Sequence, residues 1–181
     1  MALVPPLGFS PDEVRALLRP LRNDVSIALH GAGNPFNVGA IIRVAHSFLV
    51  REIIIVGGQT WYERASMGME KFETVVQLDD DDALLAHVGD RPLWAVEKDH
   101  ATIDLYDVEA FPKDVVLLFG GERAGIPPAV IARAEQVIGI PMYGVNHSYP
   151  LPVAVGIVLA DWGRRRYARG TVLTGRAPSA G

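Results

Sequence analysis

Ile53–Val56 is an unbroken run of four β-branched residues. Such side chains suit a pleated backbone, and a run with no polar alternation fits a strand buried on both faces. A strand of that kind needs cover on each side, which helices supply in a parallel sheet. The rest of the chain provides both kinds of element. Val25–His30, Pro92–Glu97, Val115–Phe119 and Val137–Pro141 read as further short apolar strands. Ser10–Leu21 reads as a helix with Ser10 as N-cap, Pro11 in its first turn, Glu13 closing a capping box and Pro20 ending it. A second helix carries Val38, Ile41, Ile42, Ala45 and Leu49 at helical spacing. Asp82–Val88, Pro127–Ala134 and Leu151–Tyr167 read as helices too, while Trp61–Asp82 is less regular and expected to hold short helices. The alternation implies an α/β fold, a mostly parallel sheet with helices on both faces.

A chain of 181 residues with 49% hydrophobic content suits one domain with a sizeable core. Residues 1–170 are expected to form it, with about residues 1–24 as a short N-terminal helical extension. Residues 171–181, rich in Gly, Thr, Pro and Ser, are expected to be a flexible tail. The absence of cysteine excludes disulfides and thiolate metal sites. His30, His46, His87, His100 and His147 show no metal-ligand spacing, so no metal is expected. The N-terminus lacks the basic and apolar regions of a signal peptide, and the longest apolar run is short of the roughly 20 residues that span a bilayer. A cytoplasmic protein with no membrane partner is expected. The net charge of −4 argues against a basic coat for nucleic acid. Charge is segregated, however: Asp79–Asp82 is acidic, while Arg164, Arg165, Arg166, Arg169 and Arg176 gather near the C-terminus. Those arginines fit a basic binding face or a solvated last helical turn equally well.

Three loops follow expected strands: Gly31–Gly39, Gly120–Pro127 and Tyr143–Pro152. Ligands of open parallel sheets lie outside the carboxyl ends of strands, so the three are expected to converge. Gly31, Gly33 and Gly39 loosely match a dinucleotide-binding turn, but the strand that should end on an acidic residue ends Val56-Gly57-Gly58. A nicotinamide-dependent oxidoreductase is therefore the weaker reading. Asn34 suits an N-cap with Pro35 behind it, which leaves Asn37 in the first turn with no capping duty. Arg43, between Ile42 and Val44 on the strip of Gly39, either snorkels to the surface or aims a charge into a site. A guanidinium offers five fixed donors and suits phosphate. Glu122, after a very apolar strand, reads as a backbone cap or a site carboxylate. Ser148 and His147 read as turn residues or site groups.

Taken together, the three loops resemble the three motifs of the SpoU (TrmH-like) family of RNA ribose 2'-O-methyltransferases, in the SPOUT superfamily. NPFNVGAIIRVA resembles the first through Asn37, Gly39, Arg43 and Ala45. LLFGGERAGIP resembles the second through Phe119, Gly120, Glu122, Gly125 and Pro127. IPMYGVNHSYPLPVAVGI resembles the third through Ile140, Pro141, Met142, Gly144, Ser148, Val153 and Ala154. One departure is clear: Pro150 stands where the third motif has Asn, and offers neither a side-chain amide nor a backbone N–H.

The resemblance implies a C-terminal trefoil knot that holds S-adenosylmethionine against Ala95, Val96, Gly120, Gly121, Ile140, Met142, Gly144, Ser148 and Tyr149. It implies a homodimer and an RNA substrate, tRNA or rRNA, methylated on a ribose 2'-hydroxyl. The catalytic residues would be Arg43, Asn37, Glu122 and Ser148. A guanidinium stays protonated at neutral pH and makes a poor base, so Arg43 is expected to donate to the developing alkoxide and to phosphate, with Asn37 and Glu122 holding it in register. Pro150 and the acidic charge motivate an alternative, an RNA- or cofactor-binding relative with impaired catalysis.

Overall fold

The apolar runs form strands β1 (Ser26–His30), β2 (Ile53–Val56), β3 (Val75–Leu78), β4 (Leu93–Val96), β5 (Ile103–Asp104), β6 (Val116–Gly120) and β7 (Gln136–Gly139). Helices α1 (Pro11–Leu18), α2 (Pro35–Ser47), α3 (Glu63–Ser66), α4 (Asp81–Val88), α5 (Pro128–Ile131) and α6 (Leu151–Arg166) run before, between and after them. The computed structural model describes residues 8–166. The expected tail at 171–181, with Tyr167, Arg169 and Arg176, lies outside them. The strands make one sheet in the order β3-β2-β1-β6-β4-β7-β5, and all of these pairings are parallel.

Strand alternation divides the core in two. Ile27 and Leu29 of β1, Ile53 and Ile55 of β2, and Leu117 and Phe119 of β6 pack with α2 and α6, against Ile41, Ile42, Val155, Val158 and Trp162. Their neighbours Ala28, Ile54, Val56, Val116 and Leu118 face the other way and meet Leu84 and Val88 of α4 and Val130 of α5. Both faces of β2 are thus covered, which is why all four of its residues are apolar and buried. Each large side chain so buried contributes about 1.5–3 kcal/mol.

Some local expectations change. β3 lies inside the stretch read as irregular: it is a half-buried edge strand without clear alternation, recruited by pairing Val75 with Ile53. β5, two residues long, closes the opposite edge. The helix expected over Pro127–Ala134 is one turn long, because the Glu135 N–H already bonds Leu93 O at 2.8 Å and draws the chain into β7. The first α-helix stops at Leu18, just ahead of Pro20 as expected, and Pro20 itself sits in a 3-10 turn, Arg19–Leu21, that follows it. The Ser10–Glu13 capping box forms as expected.

Polar pins fix the periphery. The Glu73 carboxylate is fully buried and accepts from Arg22 at 2.5 Å and from His46 at 2.7 Å, tying the N-terminal segment to α2 and to the start of β3. Glu52, just before β2, accepts from Arg91 at 2.6 Å and pairs with His87 at 3.0 Å. Burial acts to raise the pKa of Glu52, but the hydrogen bonds from Arg91 and His87 outweigh it and hold the carboxyl below its ordinary 4.5. The described arginines of the C-terminal cluster are occupied at home. Arg164 and Arg165 both reach Asp161, and Arg166 bonds Asp24 at 2.9 Å with its guanidinium 5.3 Å from the Trp162 ring. Among the described residues no helix is long and apolar enough to cross a membrane.

Candidate functional site

The carboxyl ends of β1, β6, β4 and β7 lie side by side in mid-sheet, where the strand order changes direction. Ligands of parallel sheets bind at such a point. From β1 the chain turns into α2, whose N-cap Asn34 accepts from the Phe36 N–H at 3.0 Å with Pro35 behind it. That leaves the Asn37 side chain free, and its amide donates to the Glu122 carboxylate of the second loop. The two loops also lock through backbone. The Gly121 N–H donates to His30 O at 2.7 Å, and a Cβ on Gly121 would stand 2.1 Å from the Gly31 carbonyl oxygen, so only glycine allows the approach.

The third loop closes on itself, with the Tyr149 hydroxyl donating to Pro141 O at 3.2 Å. Pro150 opens α6: its carbonyl accepts from the N–H groups of Val153 and Ala154 at 2.9 and 3.0 Å. A helix start is a position where the missing N–H of proline costs little. Between the second and third loops lies a cavity of about 560 Å³, within the roughly 300–1,000 Å³ of small-molecule sites.

Of the expected cofactor residues, Val96, Gly120, Gly121, Ile140, Met142, Ser148 and Tyr149 line this cavity. Ala95 does not. It alternates with Val96 along β4 and is buried in the core against α4 and α5. Gly144 is likewise outside the lining, in the exposed part of the third loop. Of the expected catalytic residues, Glu122 and Ser148 line the cavity and Asn37 bonds Glu122. Arg43 stands apart from this network: it is exposed on α2, and its guanidinium has no hydrogen bond or ion pair among the described residues. Asn37 and Glu122, expected to hold Arg43 in register, bond each other and not Arg43.

Sequence reasoning missed Glu97. It follows β4 as Glu122 follows β6, so a lone carboxylate after an apolar strand was the available signal. Glu97 is half-buried in the cavity wall, its Oε2 lies 3.1 Å from where a Cβ of Gly125 would stand, and its carboxylate has no hydrogen-bond partner among the described residues. His147 and His100 also line the cavity. Apolar Ile126, Ile140 and Leu151 beside carboxylates Glu97 and Glu122 suit a ligand with a flat apolar part and hydrogen-bond-donating or cationic groups.

Comparison with known proteins agrees with this geometry. The chain is 28% identical over 178 residues to an uncharacterised tRNA/rRNA methyltransferase of Mycolicibacterium gilvum, with 90% of this chain and 54% of that protein covered. It thus spans about half the length of that relative. It is 26% identical over 162 residues to the tRNA (guanosine(18)-2'-O)-methyltransferase of Thermus thermophilus, covering 87% of this chain and 83% of that one. Among solved structures it resembles an AdoMet-bound rRNA methyltransferase from Sinorhizobium meliloti, with a TM-score of 0.71 and 28% identity over 83% of this chain and 61% of that one. The SpoU rRNA methylase family model matches residues 24–160, three quarters of the chain and all three loops of the site, and the chain belongs to that family.

Proposed function

We propose that this chain is an S-adenosylmethionine-dependent methyltransferase acting on a ribose 2'-hydroxyl of tRNA or rRNA. The observation that carries the reading is the Asn37–Glu122 hydrogen bond, which joins the helix bearing Arg43 to the wall of the cavity. The Thermus relative, named for ribose methylation of a tRNA guanosine, and the AdoMet-bound Sinorhizobium neighbour support it.

The cavity fits the cofactor in size and chemistry. Val96, Ile126, Ile140, Met142 and Leu151 would hold its apolar parts, and Glu97 would accept from its hydroxyl or ammonium groups. S-adenosylmethionine supplies a methyl group already activated on a sulfonium. What remains for the protein is alignment and activation of the hydroxyl, and alignment alone can lower a barrier by about 7–11 kcal/mol. Arg43 grips an RNA phosphate and donates to the 2'-oxygen as that oxygen loses its proton to a phosphate oxygen. Asn37 and Glu122 fix the start of α2 and orient the ribose, while Ser148 borders it from the third loop.

The same reading takes residues 1–170 as one domain with an N-terminal extension and a trefoil knot formed by the second and third loops. It takes the protein as a cytoplasmic homodimer. Tyr143 and Val145 on the third loop are 90% and 97% exposed, and Val153 on α6 is 46% exposed, apolar side chains that a second copy could cover. Pro150 favours a second reading, a member that binds cofactor and RNA without transferring the methyl group. Calorimetry with S-adenosylhomocysteine and NAD, followed by transfer of a labelled methyl group to total RNA, tests both. Binding of S-adenosylhomocysteine with transfer supports the first reading, binding without transfer the second, and stabilisation by NAD alone neither.

A further inference from the structure

We infer that Phe36 and Tyr62 form a stacking platform for an unpaired RNA base beside the target ribose, so that the substrate is single-stranded or looped RNA. This rests on the RNA reading above and adds the element that tells a splayed nucleotide from a duplex. Phe36 is 59% exposed and Tyr62 37% exposed, with ring centroids 4.4 Å apart and planes inclined by 40°. Neither ring belongs to the two buried cores. Burial in the fold therefore does not account for two adjacent aromatic side chains at the surface.

Both rings are nevertheless fixed. Phe36 occupies the first turn of α2 directly before Asn37, and its N–H is held by the Asn34 cap. The Tyr62 N–H donates to Pro35 O at 2.9 Å, and its carbonyl lies so close over Gly39 that a Cβ there would stand 2.6 Å from it. The pair is thus built onto the turn that carries Asn37, with Arg43 nearly two turns further along the same helix.

The charge around the pair fits nucleic acid. Arg43 on α2, Arg64 on α3 and Arg123 beside Glu122 are exposed, and none of their guanidiniums has a hydrogen bond or ion pair among the described residues. Exposed aromatic faces among unengaged cations are what single-stranded nucleic acid requires: a backbone to neutralise and a base face to stack. An A-form duplex keeps its bases stacked on one another and offers such a ring nothing.

Fluorescence anisotropy with a labelled mixed-sequence 12-mer oligoribonucleotide, single-stranded or annealed to its complement, tests the platform on wild type, Phe36→Leu and Tyr62→Leu. Leucine keeps apolar bulk and removes the flat face. We expect each variant to weaken single-strand binding about tenfold, with duplex binding weak throughout and S-adenosylhomocysteine affinity and thermal midpoint unchanged. Single-strand affinity equal to wild type in both variants overturns the platform. So does equally tight binding of single strand and duplex by wild type, or a change of oligomeric mass in the variants, which would make the patch a protein interface. Wild type that binds S-adenosylhomocysteine but neither RNA overturns the RNA reading itself, and the platform with it.

Discussion

The Asn37 amide donates to the Glu122 carboxylate across 85 residues of sequence. The bond exists because Asn34 takes over the capping of α2 and leaves Asn37 free. A hydrogen bond to a charged group contributes about 1.5–3 kcal/mol, here spent on fixing α2 against the cavity wall. Asn37→Ala should lower kcat for RNA methylation about tenfold, roughly 1.4 kcal/mol of barrier, and leave S-adenosylhomocysteine affinity within twofold. Unchanged turnover would make the bond merely structural.

Glu97 gives a separate handle on the cofactor. Its carboxylate has no partner among the described residues and faces the cavity, so a donor on the ligand should meet it. Glu97→Gln should weaken S-adenosylhomocysteine binding by about tenfold, the lower end of a charge-assisted hydrogen bond. Calorimetry with methylthioadenosine, which keeps the ribose but lacks the amino acid, separates the two sources. An equal loss with that ligand assigns Glu97 to the ribose, and a loss seen only with S-adenosylhomocysteine assigns it to the ammonium.

Acid should expose the Glu52 cluster. Its carboxyl titrates below 4.5 in the folded state, so the native form holds the proton less tightly than the unfolded chain does. The stabilisation is present above that value and is lost as pH falls through the lowered folded-state pKa. Glu52→Gln leaves Arg91 without its carboxylate partner and should destabilise by about 3 kcal/mol at neutral pH. The variant should lose less stability than wild type as pH is lowered from about 4.5 towards about 3. Urea midpoints from neutral pH through that range check both statements; parallel pH curves would contradict them.

The sequence showed most readily whatever depends on neighbouring residues. Ile53–Val56 shows double burial because both of its faces meet core, and the Ser10–Glu13 box and the Asn34 cap are settled within four residues. The edge strands β3 and β5 escaped notice because half-burial leaves a weak pattern and their pairing partners lie far away in sequence. Ala95 was expected near the cofactor through its backbone, and what the sequence did not show is that its side chain turns from the cavity into the core against α4 and α5. The arginines Arg164–Arg166 looked available for a ligand until Asp161, Asp24 and Trp162 were seen to engage them. The three motif loops were legible as motifs, but the bond between Asn37 and Glu122 required the sheet that brings them together.

Close packing at Gly39 supplies a structural control. A methyl group there would stand 2.6 Å from the Tyr62 carbonyl and 2.9 Å from the Ala65 Cβ. Gly39→Ala should push α3 off α2 and cost about 1–3 kcal/mol of stability, read as a lowered urea midpoint. Because Tyr62 moves with α3, RNA affinity should fall in the same variant while cofactor affinity holds.

Methyl transfer itself tests the central claim most directly. RNA incubated with the protein and isotopically labelled S-adenosylmethionine, then digested to nucleosides and resolved by mass spectrometry, should yield a labelled 2'-O-methylnucleoside. Arg43→Ala should cut that yield about 10²–10³-fold, as loss of a transition-state donor does, with S-adenosylhomocysteine binding intact. Label found on a base instead of the ribose, or an Arg43→Ala protein as active as wild type, would contradict the account.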